Sequence, residues 1–125
     1  ICIQILEQTG LLSKANHLAN SLTLLERKRL ELARALCAKP KILLLDEIAG
    51  GLTESECQSL INTINKIKES GIAIVWIEHI VHALLSIVDR LIVINFGVKI
   101  ADGEPKKIMA SKAVKEIYIG IEADA

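Results

Sequence analysis

The stretch Ile42-Leu43-Leu44-Leu45-Asp46-Glu47 decides the fold, because four consecutive aliphatic residues run directly into two carboxylates. An aliphatic run of this length, introduced by Lys39-Pro40-Lys41, is typical of a strand buried on both faces of a parallel sheet, since such a strand needs no polar alternation. In open α/β sheets, ligands bind just beyond the carboxyl ends of the strands. Asp46 and Glu47 are therefore predicted to lie where chemistry is done. Taken alone, the two acids could equally mark the point where a core strand reaches the surface.

A second apolar run, at residues 72–77, ends in Glu78-His79 and follows a predicted helix. Thr53-Glu54-Ser55-Glu56 fits a capping box at the start of that helix. The helix is expected to bury Cys57, Leu60, Ile61, Ile64 and Ile67. Strand, helix and strand in this order predict a right-handed parallel βαβ unit. The carboxyl ends of its strands meet at one edge, so Asp46, Glu47 and His79 are expected to lie together.

The other elements are predicted from periodicity and from the positions of glycine and proline. We expect helices at 1–9, 13–19, 25–38 and 80–87, antiparallel strands at 91–94 and 98–101, a turn at 102–103, and a helical tail from Pro105 to Ile119. The predicted fold class is therefore α/β, with three layers, mainly parallel core strands flanked by helices and a C-terminal antiparallel strand pair.

Composition limits the function classes. Fifteen basic and fifteen acidic side chains in 125 residues give no net charge, which argues against a dedicated nucleic-acid or anionic-membrane binder. Cys2, Cys37 and Cys57 are widely separated and form no Cys-x-x-Cys pair, so we expect reduced thiols in a cytoplasmic protein. No apolar run approaches the roughly 20 residues needed to span a bilayer.

Several motifs together carry a family resemblance. Leu22-Thr23-Leu24-Leu25-Glu26 precedes the helical run RKRLELARAL at 27–36, and Asp46-Glu47, Gly51-Leu52-Thr53 and Ile77-Glu78-His79 follow. Their order and spacing resemble the signature loop, Walker B strand, D-loop and switch histidine of the ABC transporter ATPase subunit. The stretch from Asp89 to Pro105 is similar to the branched-chain amino acid transporter ATPases. The resemblance covers residues 20–118 or so.

The resemblance implies a catalytic site for MgATP hydrolysis. It implies that Asp46 coordinates Mg²⁺, that Glu47 activates the hydrolytic water, and that His79 contacts the γ-phosphate of ATP. Two positions depart from the family pattern. Ile48 stands where the family usually has proline, and Thr53 where the D-loop usually has aspartate.

The resemblance also implies a second set of ATP contacts, made across a dimer. Leu22, Thr23 and Glu26 belong to the signature loop, with Thr23 at the position of the signature serine. This loop would contact the ATP bound to the opposite subunit. Leu24 and Leu25 replace the two signature glycines, and Glu26 replaces the glutamine.

The phosphate-binding loop of the family is not found in this sequence. None of the seven glycines begins or completes the motif G-x-x-x-x-G-K-[ST]. The resemblance therefore implies a three-layer fold like that of the P-loop NTPases, with this chain as the C-terminal half of the ATPase and the first half of the fold absent. Residues 1–24 would end the helical subdomain and form the signature loop, and 25–125 would form the C-terminal half of the catalytic core. We expect the 125-residue chain alone to be inactive.

The implied cofactors are ATP and Mg²⁺. The implied partners are a second ATPase subunit, transmembrane permease subunits and, indirectly, a solute-binding protein, with no nucleic acid. The implied location is cytoplasmic, peripheral on the inner face of the cell membrane. Two alternatives stay open: an inert truncated module that self-associates through an open strand edge, and a DNA-acting ATPase of the same superfamily. The second is disfavoured because the sequence has no coiled-coil heptads.

Overall fold

The computed structural model describes the backbone of residues 1–123 and the side chains of residues 1–117, so Asp124 and Ala125 lie outside it. The chain forms two compact units, Ile1–Leu84 and Leu85–Ala125. The first contains a parallel strand pair and the second an antiparallel pair. Within residues 1–123, every helix is too short or too polar to cross a membrane.

The first unit alternates helices and strands much as the sequence predicts. Its elements are α1 Cys2–Gln8, α2 Leu24–Cys37, β1 Ile42–Asp46, α3 Glu54–Glu69, β2 Ala73–Ile77 and all but the last residue of α4 Val81–Leu85. The predicted helix at 13–19 is wrong, because that segment instead forms two single 3₁₀ turns, Leu12–Lys14 and Ala19–Ser21. The backbone N–H groups of Lys14 and His17 bond the carbonyls three residues back, Leu11 and Lys14, which is the 3₁₀ pattern and not the α-helical one.

The predicted βαβ unit is confirmed. β1 and β2 pair in parallel, with Leu45 opposite Trp76 and Asp46 opposite Ile77. α3 connects them and begins with the predicted capping box, in which Thr53 Oγ1 accepts the Glu56 N–H at 3.3 Å. The Glu56 carboxylate accepts the Thr53 N–H at 2.9 Å in return. Each capping bond satisfies a backbone donor that the helix itself leaves unpaired.

The core of the first unit lies between these helices and one face of the sheet. All five apolar positions predicted for α3 are buried, and Leu43 and Leu45 of β1 are buried as well. In α2 the buried positions are Leu32, Ala33 and Leu36. The three cysteines are free thiols, as predicted, although only Cys57 is buried.

The prediction that β1 is buried on both faces is wrong for this chain. Ile42 and Leu44 are 59% and 75% exposed, and Val75 and Ile77 of β2 are 54% and 63% exposed. In the described part of the first unit, the helices cover only the face that carries Leu43 and Leu45. We call the other face, formed by Ile42, Leu44, Val75 and Ile77, the open face. An aliphatic run shows that a strand suits burial, but it cannot show which of its faces this chain covers.

The second unit is a hairpin followed by two helices. The elements are β3 Leu91–Asn95, β4 Val98–Gly103, α5 Pro105–Ala110 and α6 Lys112–Ala123. Antiparallel pairing is confirmed, but the predicted turn at 102–103 is wrong because both residues extend β4. The Arg90 guanidinium holds Asp102 with two bonds of 2.7 and 2.8 Å, and Lys99 adds a third at 3.1 Å. These bonds stabilise the last residues of β4 as part of the strand.

Candidate functional site

Asp46 is the last residue of β1, at the carboxyl edge of the parallel strand pair. Alternate residues of a strand share a face, so Asp46 lies on the same side as the exposed Leu44 and opposite the buried Leu45. Its carboxylate is exposed. The structure therefore places this acid at the predicted edge and on the open face.

Glu47 directly follows β1 and adopts a left-handed backbone conformation, with φ of 45°. Its N–H donates a 2.8 Å hydrogen bond to the Ile77 carbonyl, which holds the turn against the end of β2. A non-glycine residue in this region costs on the order of 1–3 kcal/mol, and such strain persists where the surrounding structure fixes it, often at functional sites. The bend directs the Glu47 side chain away from the strand and toward His79.

His79 lies two residues beyond the end of β2. Its Nδ1 is 3.8 Å from Glu47 Oε1 and 3.3 Å from Glu78 Oε1. The structure thus brings Glu47 and His79 together. Asp46 ends the neighbouring strand at the same edge, although among the described residues no hydrogen bond or ion pair joins it to His79. Both Glu47 and His79 are more than half exposed, so water can reach them.

Glu78 is the residue of this edge that our sequence reasoning missed. Its side chain is 0% exposed. Glu78 Oε2 accepts the Ala49 N–H at 3.0 Å, and Oε1 accepts the N–H groups of His79 at 3.0 Å and of Ile80 at 3.4 Å. The one sequence signal was an acid between a buried strand and a histidine. The backbone amides that it binds become visible only once the turn after β1 is folded.

The start of α2 presents the residues predicted to contact the opposite subunit's ATP. Thr23 is the N-cap, and Glu26 completes a capping box with it. The Thr23 N–H donates to the Glu26 carboxylate at 2.9 Å and lowers the pKa of Glu26, and Lys14 at 3.4 Å lowers it further. The spacing Thr-x-x-Glu could have revealed this structural role in advance. Leu22, the residue before the cap, contributes to an apolar pocket together with Leu30.

The first turn of α2 packs against the turn that follows β1. Gly51 has a φ of +77°, and a Cβ built there would lie 3.1 Å from Leu24 Cδ2. The predicted signature and D-loop segments are therefore neighbours within one chain. No hydrogen bond or ion pair of residues 1–117 links Thr23 to Glu47 or His79.

The edge offers one carboxylate that suits a metal ion. Among the described residues, no group of three or more His, Cys, Asp or Glu side chains could hold a metal by itself. Mg²⁺ does not need such a group, because it commonly keeps several waters and takes one or two carboxylates plus phosphate oxygens. The exposed Asp46 fits this pattern. Two open pockets of this unit lie elsewhere, one lined by Leu6 and Leu30 and the other by Ile5 and Pro40.

The fold defines the class of protein: it matches about half of an α/β domain of the P-loop NTPase type, the type found in ATP-binding cassettes of ABC transporters. A solved cassette of this kind, in its ADP conformation, superposes with a TM-score of 0.87 at 32% identity. The match covers 95% of this chain and 48% of the cassette. A nucleotide-free cassette from an ABC transporter gives a TM-score of 0.86 at 29% identity, with 94% and 48% covered.

The relatives in sequence give the same family. The chain is 38% identical over 116 residues to the high-affinity branched-chain amino acid transport ATP-binding protein BraF of Pseudomonas aeruginosa. It is 37% identical to the corresponding protein LivG of Escherichia coli. Each match covers 92% of this chain and 46% of the relative. No family model matches the chain. The chain belongs to the ABC transporter ATP-binding proteins, and it spans about half the length of the relatives it matches.

Proposed function

We propose that this chain supplies the metal, water and γ-phosphate contacts of an ATPase that drives an ABC importer. The observation that carries the proposal is the edge of the parallel strand pair, where Glu47 adopts a left-handed turn and its carboxylate lies 3.8 Å from His79 Nδ1. This edge brings together two exposed acids and an exposed imidazole, which could hold a metal ion, accept a proton from water and contact a phosphate, the positioning tasks of phosphoryl transfer.

Each residue has a role that its position supports. Asp46, exposed at the end of β1, would hold Mg²⁺, which supplies charge neutralisation at the phosphates. Glu47 would accept a proton from the attacking water, since its carboxylate is solvent-accessible and lies on a separate side of the turn from Asp46. His79 would contact the γ-phosphate or orient the water through the ring nitrogen that faces away from Glu78.

The α2 N-terminus would serve the second subunit of a dimer. Leu22, Thr23 and Glu26 would approach the ATP of the opposite subunit, with the Thr23 hydroxyl as the contact closest in type to a signature serine. Thr23 Oγ1 accepts a bond from the Glu26 N–H, which leaves its own proton free to donate to a phosphate oxygen. The capping box therefore orients this hydroxyl without using its donor.

The transported solute is proposed from the relatives. BraF and LivG are named for high-affinity transport of branched-chain amino acids, so we assign this chain to an importer of the same solutes. Its partners would be a second ATPase subunit, the membrane permease subunits and, indirectly, a solute-binding protein. It would act on the cytoplasmic face of the membrane as a peripheral subunit.

The 125-residue chain alone is expected to bind ATP negligibly and to turn none over. Asp46, Glu47 and His79 face metal, water and γ-phosphate but leave the adenosine and the α- and β-phosphates without contacts. Isothermal titration of MgATP into the purified chain tests this. Binding at micromolar concentrations would overturn the expectation.

A chimera tests the catalytic assignment. In LivG, the segment homologous to this chain is replaced by it, and the ATPase rate is measured. We expect turnover in the chimera, and we expect Glu47→Gln to keep ATP binding while abolishing hydrolysis. Glu31→Gln, which changes an exposed glutamate of α2, is the matched control. Turnover that survives Glu47→Gln would eliminate Glu47 as the base.

The open face favours a second candidate, self-association of the chain as an inert module. Ile42, Leu44, Val75 and Ile77 form a contiguous apolar surface beside unpaired strand edges, and such surfaces associate. Light scattering at increasing concentrations separates the two candidates. Oligomers that dissociate when Leu44 is replaced by lysine (Leu44→Lys) would support the second candidate, and a monomer at every concentration would exclude it.

A further inference from the structure

We infer that Glu78 is a positioning residue of the hydrolytic site. It fixes the orientation and the tautomer of His79, and it holds the turn that carries Glu47. The inference rests on the proposed function, because it assigns a task to the site in which Glu47 and His79 act. The Glu78 side chain is 0% exposed, whereas the side chains of Glu47 and His79, on either side of it in the site, are 60% and 66% exposed.

A carboxylate is buried only where hydrogen bonds compensate for lost water. Glu78 receives three backbone N–H groups, one from Ala49 and two from the residues that follow it. Its Oε1 also lies 3.3 Å from His79 Nδ1. An ionised carboxylate accepts and does not donate, so a bare Nδ1 at this distance would turn its lone pair toward the Glu78 oxygen, and the arrangement favours a proton on Nδ1.

The carboxylate thereby sets the tautomer of His79. Which ring nitrogen of a histidine is protonated is set by the bond that the other nitrogen makes. With its proton on Nδ1, facing Glu78, the neutral ring presents a bare Nε2 on the opposite side, and the His79 side chain is 66% exposed. Nε2 can then accept a bond from water in the neutral ring, or donate to a phosphate once protonated.

The Glu78 carboxylate also keeps Glu47 available as a base. Glu47 Oε1 is 3.8 Å from His79 Nδ1, farther than Glu78 Oε1 at 3.3 Å. Glu78 is therefore the nearer acceptor for the Nδ1–H group, which leaves the Glu47 carboxylate available to accept a proton from water. Through the 3.0 Å bond to the Ala49 N–H, Glu78 also ties down the turn two residues after Glu47. One buried side chain thus sets the positions of both the base and the imidazole.

The tautomer is measured directly by ¹⁵N NMR of the histidine rings. The spectra are recorded on the 125-residue chain at about pH 8.5, well above the ordinary histidine pKa of about 6.5. His79 is assigned by its disappearance in His79→Gln. We expect the Nδ1–H tautomer to predominate at His79, and we expect Glu78→Gln to remove that preference. Glutamine keeps the shape of the side chain, but only one of its two polar atoms can accept.

Amide exchange at Ala49 is the second readout. We expect exchange there to quicken about tenfold or more in Glu78→Gln, because a bond to a charged acceptor is lost. Glu31→Gln, on the exposed side of α2, should change neither readout. A role in general stability alone would accelerate exchange throughout the first unit and leave the His79 tautomer unchanged.

An Nε2–H tautomer at His79 in the unsubstituted chain would overturn the inference, and this measurement does not depend on whether Glu78→Gln folds. Loss of the Nδ1–H preference in Glu47→Gln but not in Glu78→Gln would overturn it as well, by assigning the task to Glu47. These experiments use no nucleotide. An inactive LivG chimera would therefore count against the proposed function, whereas the NMR and exchange results alone decide the role of Glu78.

Discussion

Leu43 and Leu44 are adjacent and chemically identical, yet the structure predicts opposite results for their truncation. Leu43 is 4% exposed against the helices, and Leu44 is 75% exposed on the open face. We expect Leu43→Ala to destabilise the first unit strongly and Leu44→Ala to change its stability little. If the strand were buried on both faces, the two losses would be equal.

The magnitudes follow from these exposures. Full burial of a leucine side chain is worth about 1.5–3 kcal/mol, and truncation also leaves a cavity, which brings a buried Leu→Ala change to about 2–5 kcal/mol. Leu44 has only about a quarter of its surface covered, so the burial at stake is about 0.4–0.8 kcal/mol. Against a typical domain stability of about 5–15 kcal/mol, Leu43→Ala should be a major loss.

Urea unfolding followed by tryptophan fluorescence is the assay. Trp76 is the only tryptophan of the sequence and lies opposite Leu45 in the sheet, so its emission reports on β1 and β2. We expect the free energy of unfolding to differ between the two variants by at least about 1.2 kcal/mol. Equal losses would refute the one-sided burial. A gain in solubility on Leu44→Lys alone would further support the open face.

Local bonds give the other predictions. Thr53→Ala removes the cap of α3 and should cost about 0.5–2 kcal/mol of unfolding free energy, whereas Thr53→Ser should not; equal losses would discount the capping hydroxyl. Gly51→Ala places a Cβ at a φ of +77° and should cost about 1 kcal/mol, more than Gly50→Ala, whose φ is not positive. The Arg90 guanidinium lowers the pKa of Asp102, so the stabilisation from this aspartate is complete above its unfolded pKa of about 3.9 and is lost as the pH falls below that value. Asp102→Asn should therefore lower the melting temperature at pH 7 more than at about pH 3, and an equal effect at both would contradict the role of this ion pair.

The sequence predicted most of the elements and the position of the candidate site for identifiable reasons. β1 and β2 were recognisable because uninterrupted aliphatic runs are typical of parallel strands. α3 was recognisable because a capping box and a 3.6-residue period coincide. Asp46 and Glu47 were identified because they end an apolar strand, where ligands bind in α/β folds.

The errors also have physical reasons. The segment at 13–19 has apolar spacing like that of a helix, but it includes Asn16 and His17, which are weaker helix formers than alanine or leucine, and its backbone bonds close 3₁₀ turns. Asp102 looked like a turn residue, but the bonds from Arg90 and Lys99 hold it in a strand. Thr23 and Glu26 were read only as ligand contacts, although their spacing also forms a capping box.

Residues 42–47 by themselves determined that a strand carries two acids to the edge of a sheet, because hydrophobic pattern and chain direction are properties of local sequence. Only the tertiary structure decided that Leu44 is exposed and Leu43 is not, and that Glu47 bends toward His79. It also decided that Glu78 is the buried acceptor between them. Burial and contact depend on which segments of the chain meet in space, and the residues that meet here are separated by about thirty positions in the sequence.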